Sequence, residues 1–182
     1  EFEVDLLDDD GRPVAVSEIG EICVRPRFPD VMFQGYWNRP EDTLRAFSNL
    51  WFHTGDLAKT DDRRYLYFVD RKKDSLRRRG ENISSFELER VAIAHPDVKD
   101  VAVHAVPSEV SEDEVKVTAV RQPHATATEE DLCRFMAGQV PYFAIPRYVE
   151  FVDDLPRNPV GRVLKYELRD RGVTAATWDR EA

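Results

Sequence analysis

The chain has 182 residues, 42% of them hydrophobic and 34% charged, with a formal net charge of −9. This composition excludes a disordered polymer and allows one good-sized domain or two small ones with a real core. The acidic balance argues against nucleic acid and anionic membrane as general partners, and no apolar run reaches the roughly 20 residues of a membrane span.

Glu1-Phe2-Glu3-Val4-Asp5 lacks the basic and apolar regions of a signal peptide. It also lacks a starting methionine, so the chain is expected to begin in mid-protein. The first seventy residues read as β-rich. Glu3 to Leu7 alternates as a strand, and Asp8 to Gly11 is a turn. Glu21 to Arg25 is a second strand, and Tyr65 to Val69 a third. After about residue 72 helices and strands alternate. Ser84 and Glu87 suggest a capping box before a helix from Phe86 to His95, with Leu88, Val91 and Ala92 on one face. Val101 to Val106 and Val115 to Val120 read as strands. Thr128 caps a second helix carrying Leu132, Phe135, Met136 and Val140. Tyr148 to Val152 is a last strand, and a final helix runs from about Val163 to Arg171. The fold class expected is α+β, a β-rich segment over 1–72 followed by a small α+β module over 73–182.

Cys23 and Cys133 are too few for a disulfide framework and are expected as small buried hydrophobes in a reducing cytoplasm. His53, His95, His104 and His124 are scattered singly, and no metal ligand is assigned. A basic cluster, Arg71, Lys72, Lys73, Arg77, Arg78 and Arg79, interrupts the acidic chain. It could receive a small polyanion; on charge alone a solvated surface paired with Asp70 and Asp74 is preferred. Trp51 to Leu57 places Asp56 beside Gly55 in what reads as a turn. Such a carboxylate can accept two hydrogen bonds from a ribose diol, or merely cap a loop.

Five segments together carry a family resemblance. Thr54-Gly55-Asp56-Leu57 resembles the T-G-D-L motif of the adenylate-forming superfamily of acyl-CoA synthetases, luciferases and peptide synthetases. Gly35-Tyr36-Trp37-Asn38-Arg39-Pro40, with Thr43, resembles its G-Y-W-x-x-P-x-x-T motif. Asp70 to Asp74, followed by Arg79 to Ser84, resembles the hinge and the loop after it. Val140 to Pro146 is similar to L-P-x-Y-x-x-P, and Asn158 to Arg162 sits where the terminal P-x-x-x-G-K motif belongs. The Gly-Glu-Asn-Ile-Ser form at 80–84 is similar to ligases acting on fatty acids or on crotonobetaine and carnitine.

The resemblance implies an ATP-dependent carboxylate–CoA ligase, with 1–72 the end of a large AMP-binding domain and 73–182 a mobile lid. Asp56 and Arg71 are then expected at the adenosine ribose and Lys73 at the hinge. Gly80, Glu81 and Asn82 are expected along the pantetheine tunnel. Arg77 and Arg79, on one face of a strand with Arg78 opposite, are candidates for the phosphates of coenzyme A. ATP, AMP, coenzyme A and a carboxylic acid are the implied ligands. Mg2+ is implied too, with no ligands in this chain. The implied partner is the rest of the same polypeptide, which should hold the phosphate loop and acyl pocket that these residues lack.

Two positions depart from the pattern. Arg162 stands where the family carries its catalytic lysine, with Lys165 three residues along. A planar guanidinium does not reproduce a compact ammonium, so slow adenylation with a spared thioester step is expected. Arg64 stands where a turn glycine is usual, which suggests a different turn type. Two alternatives remain: a non-catalytic module binding nucleotide or coenzyme A, and an adenylation domain that passes its acyl group to a carrier protein.

Overall fold

The computed structural model describes residues 1–108 and 113–182, in two compact units, Glu1–Lys73 and Asp74–Ala182. The first is a five-stranded antiparallel sheet. Strands β1 (Phe2–Leu7) and β2 (Gly20–Pro26) lead through helix α1 (Pro40–Ala46) to β3 (Phe47–Ser48), β4 (Trp51–Thr60) and β5 (Leu66–Arg71). The order is β1-β2-β4, with β3 and β5 sharing the far edge of β4. Leu6, Leu7, Cys23 and Ala58 are its buried apolar residues, and Phe33, Phe47 and Phe52 meet with ring centroids 5.2–5.4 Å apart.

The expected turn at Trp51 to Leu57 is instead the first seven residues of the ten-residue strand β4. The turn-like composition has a different cause. Glu21 pairs with Leu57 and Cys23 with His53, so two steps along β2 face four along β4. The surplus forms a bulge at Thr54-Gly55-Asp56, where Gly55 takes φ +75°. Asp61 closes the β4–β5 hairpin by accepting from the Arg63 and Tyr65 amides. Arg64 within it keeps φ +63°, the left-handed backbone that a glycine takes freely, so the substitution adds strain without that conformation being given up.

The second unit opens with a hairpin of β6 (Leu76–Arg78) and β7 (Glu81–Ile83), followed by helix α2 (Ser85–Ile93). Ser84 accepts from the Glu87 amide to cap α2. Strands β8 (Val98–Pro107) and β9 (Asp113–Arg121) come next, then helix α3 (Glu129–Ala137), β10 (Tyr148–Val152), helix α4 (Lys165–Arg171) and β11 (Trp178–Asp179). Thr128 and Asp131 form a reciprocal capping box on α3. The sheet runs β11-β10-β9-β8 with β9 and β10 parallel. Both units mix these elements as an α+β chain should, and the second carries most of the core. Val101, Val103, Val115, Val117 and Ala119 of the sheet pack with Leu88, Ala92, Leu132 and Met136 of α2 and α3.

The opposite sheet face is partly polar and equally dry. Lys116, 2% exposed, places its three donors on Glu150 Oε2 (2.6 Å), the Gly172 carbonyl (2.7 Å) and Thr177 Oγ1 (3.0 Å). All of its hydrogen-bonding capacity is thereby used, and the segment after α4 is tied to the sheet. His104 lies beside it, its Nδ1 3.1 Å from the Ala105 carbonyl and Nε2 3.1 Å from Thr118 Oγ1. Burial, with Lys116 nearby, pushes its pKa down to about 4.

His104 therefore stays neutral in the fold where the unfolded chain takes up a proton. Stability attributable to it is complete above pH 6.5, its ordinary value, and is lost as pH falls through about 4. His104→Gln should remove a pH-dependent loss on the order of 3 kcal/mol, read as a flatter plot of urea-unfolding free energy from pH 7 to 4. A plot as steep as that of the unsubstituted protein would assign the slope to the carboxylates instead.

Candidate functional site

The bulge in β4 turns Asp56 toward Arg71, its ladder partner on β5. Arg71 Nε lies 3.3 Å from Asp56 Oδ1, within ion-pair range. That oxygen is buried yet accepts no hydrogen bond. A carboxylate held beside a cation with acceptor capacity unspent is unusual in a folded interior and suits an incoming diol.

The backbone around Asp56 is held from beneath by Glu21, 5% exposed. Its Oε1 accepts the Gly55 amide (2.9 Å); its Oε2 receives Lys72 Nζ and His53 Nδ1, each at 3.0 Å. Burial raises the Glu21 pKa, but His53, Lys72 and the Gly55 amide outweigh it and hold the group below the usual carboxylate range. Lys72 also reaches Asp9 Oδ1 (2.8 Å), and its amide donates to the Gly55 carbonyl (2.8 Å). Glu21, Cys23 and His53 bring three ligand-type atoms within 4.8 Å of one another. The Lys72 ammonium already supplies the cation there, and the Cys23 thiol is pushed up to about 12 by burial and by Glu21. The trio is therefore ill suited to a metal ion. Sequence reading missed Glu21 because an acid in a strand has no local signature; its role depends on residues 32 to 51 positions away.

Lys73 is exposed between two anchored neighbours. Lys72 is fastened within the first unit, and Asp74 within the second by Arg169 Nη1 at 3.0 Å.

The expected one-face arrangement of Arg77 and Arg79 is corrected by the β6–β7 hairpin. Leu76 pairs with Ile83 and Arg78 with Glu81, leaving Arg79 and Gly80 as a two-residue turn with φ +54° and +82°. Positive φ at both positions matches the twist of the flanking strands. Arg79 belongs to that turn, not to the strand, and its guanidinium lies 5.8 Å from the Tyr142 ring. Arg77, Arg79, Gly80, Glu81 and Asn82 are exposed. Arg78 is 1% exposed, with Nη1 donating to the Phe143 (3.1 Å) and Ile145 (2.9 Å) carbonyls. Its Nη2 pairs with Glu114 Oε2 at 2.7 Å, at an angle short of a hydrogen bond. Arg78 thus staples the hairpin to the core, while its neighbours face water. A groove of about 480 Å3 opens beside the hairpin, lined by Asn82, Glu87, Val91, Gln139, Pro141 and Phe143.

Arg162 ends an exposed turn built on Asn158, whose Oδ1 accepts the Val160 (3.1 Å) and Arg162 (2.8 Å) amides. Arg157 clamps this turn by bonding both the Gly161 carbonyl and Asp100. Lys165 is engaged elsewhere, with Nζ 2.7 Å from both Ser85 Oγ and Glu89 Oε1.

Residues 87–162 match the family described as the AMP-binding enzyme C-terminal domain. The relatives of the chain are acyl-CoA ligases and its structural neighbours are adenylate-forming enzymes, and the chain corresponds to the part of them that carries this domain. Among its relatives, the long-chain-fatty-acid–CoA ligase of Escherichia coli O157:H7 is 43% identical over 92% of this chain. The crotonobetaine/carnitine–CoA ligase of Citrobacter koseri is 36% identical over 92% of it. The chain spans 29% and 33% of those two proteins. ATP-bound MatB from Rhodopseudomonas palustris superposes with a TM-score of 0.83 at 36% identity, covering 93% of this chain and 34% of that one.

The two arginine environments separate in a stability measurement. Arg78→Met should cost about 3–5 kcal/mol, because it leaves buried Glu114 with only the more distant Arg147 at 3.9 Å and two carbonyls unfilled. Arg77→Ala should stay within about 0.5 kcal/mol. Equal midpoints in urea would contradict the assignment of Arg78 to the core.

Proposed function

We propose that this chain is part of an ATP-dependent carboxylate–CoA ligase, acting in the cytoplasm, whose first unit ends the AMP-binding domain and whose second is the lid. In this reading a substrate carboxylate attacks the α-phosphate of ATP, expelling pyrophosphate and leaving an acyl-adenylate. The thiolate of coenzyme A then attacks the acyl carbon, and AMP departs with the bonding electrons. Mg2+ accompanies ATP in this reading, with its ligands outside the residues assigned here. Two buried free cysteines are consistent with a reducing compartment.

The observation that carries the reading is Asp56 at the β4 bulge, its buried Oδ1 accepting no hydrogen bond and Arg71 beside it. Asp56 accepts from the ribose hydroxyls, and Arg71 orients the carboxylate from the side. Lys73 turns as the hinge, supported by the separate anchoring of Lys72 and Asp74. Gly80, Glu81 and Asn82 meet pantetheine, with Asn82 at the groove beside apolar Val91, Pro141 and Phe143. Arg77 and Arg79, exposed on the hairpin, receive phosphates of coenzyme A. The likeness to long-chain-fatty-acid and crotonobetaine/carnitine ligases supports a carboxylic-acid substrate of those classes.

Arg162 occupies the position of the adenylation lysine. Lys165 cannot take over that role without giving up Ser85 and Glu89. In the full-length polypeptide, Arg162→Lys should raise ATP–pyrophosphate exchange about 10²-fold while leaving the thioester step from preformed acyl-adenylate within twofold. Unchanged exchange would reject the assignment. An unsubstituted full-length protein that shows no acid- and CoA-dependent AMP formation would reject the ligase and favour a non-catalytic module, the reading that Arg162 itself supports.

A further inference from the structure

The bulge that presents Asp56 is an energetic liability for the sheet. Two surplus residues on β4 leave the Gly55 amide without a ladder partner on β2. Glu21 repairs the gap from the opposite strand, its Oε1 accepting that amide at 2.9 Å. Its other oxygen holds the Lys72 ammonium, and the Lys72 amide returns to the Gly55 carbonyl at 2.8 Å. Both backbone groups of Gly55 are therefore closed in one ring of contacts running Glu21, Gly55 and Lys72. Asp56 follows Gly55 directly, and Lys73 follows Lys72.

We propose that Glu21 is a positioning residue that sets the bulge presenting Asp56 and immobilises Lys72 on the fixed side of Lys73. One buried carboxylate thus fastens the nucleotide-facing acid and the residue before the hinge to the same point. The inference deepens the ligase reading and rests on it for the roles of Asp56 and Lys73; the ring of contacts stands independently. Charge-assisted bonds in a dry site are short and directional, so Glu21 can hold Gly55 in a conformation the sheet alone does not favour. His53 Nδ1, at 3.0 Å from Oε2, completes the shell and restricts the carboxylate to this rotamer.

Glu21→Gln keeps the size of the group but loses the charge and places an amide donor against Lys72 or Gly55. Its test uses the full-length protein and AMP as probe, with hydrogen–deuterium exchange read over residues 53–57 and 70–73. Leu6→Ala, a buried truncation on the neighbouring strand β1, serves as the control for lost stability. In Glu21→Gln we expect the AMP dissociation constant to rise about tenfold and exchange to quicken in both segments together. Leu6→Ala should lower the melting temperature yet leave AMP affinity within twofold. Unaltered exchange in Glu21→Gln, or an AMP constant within twofold of the parent, overturns the proposal. If Glu21→Gln does not fold, Lys72→Met removes one limb alone. A threefold weaker AMP affinity in that variant supports the proposal, and unchanged affinity overturns it. Absence of AMP binding by the unsubstituted protein overturns the ligase reading, and exchange alone then decides whether Glu21 holds the bulge.

Discussion

A carboxylate taken almost wholly out of water must be repaid by donors, and around Glu21 those donors come from two separate stretches of chain, strand β4 and the residue after β5. The Gly55 amide, the His53 ring and the Lys72 ammonium all converge on it. No one of these stretches could hold its position alone. The Gly55 backbone is left-handed, Lys72 carries a long flexible stem, and the bulge breaks the β2–β4 ladder. Their shared dependence on one buried charge turns a weak point of the sheet into a defined site, with Asp56 on its exposed side.

The second unit is stabilised differently. Its apolar face packs under α2 and α3 in the ordinary way, but its other face buries Lys116, Glu150 and His104. These groups are tolerable because each has partners: Lys116 uses all three donors, and Glu150 keeps a pKa below the usual range despite burial, through Lys116, Thr177 and Thr174. Such a face is expensive to disrupt and gives a rigid base. The exposed features, the Arg79-Gly80 turn and the Asn158–Arg162 turn, project from this base and are fixed to it by Arg78 and Arg157. Residues that meet a ligand can then be few and surface-lying, because their supports are buried.

The neighbouring arginines at 77, 78 and 79 show how far residue type alone carries an argument. All three have the same charge and a plausible claim on a phosphate. Packing divides them: Arg78 fills carbonyls and Glu114 in the core, Arg77 faces water from a strand, and Arg79 turns the chain.

The sequence by itself determined the class of the chain, its α+β character, most helix and strand positions in the second half, and the order of the family motifs. These are legible because hydrophobic period, caps and glycine-bearing motifs are local, and a motif survives as a string of neighbours. The tertiary structure alone decided that Thr54-Gly55-Asp56 is a bulge within a long strand rather than a turn. It also decided that Arg78 is a core residue and that Glu21 accepts the Gly55 amide at the bulge. Those outcomes depend on strand register and on which side chains lose their water, quantities set by residues tens of positions apart. A sequence lists the donors and acceptors; only the fold brings them within 3 Å of one another and removes the solvent that would otherwise satisfy each one separately.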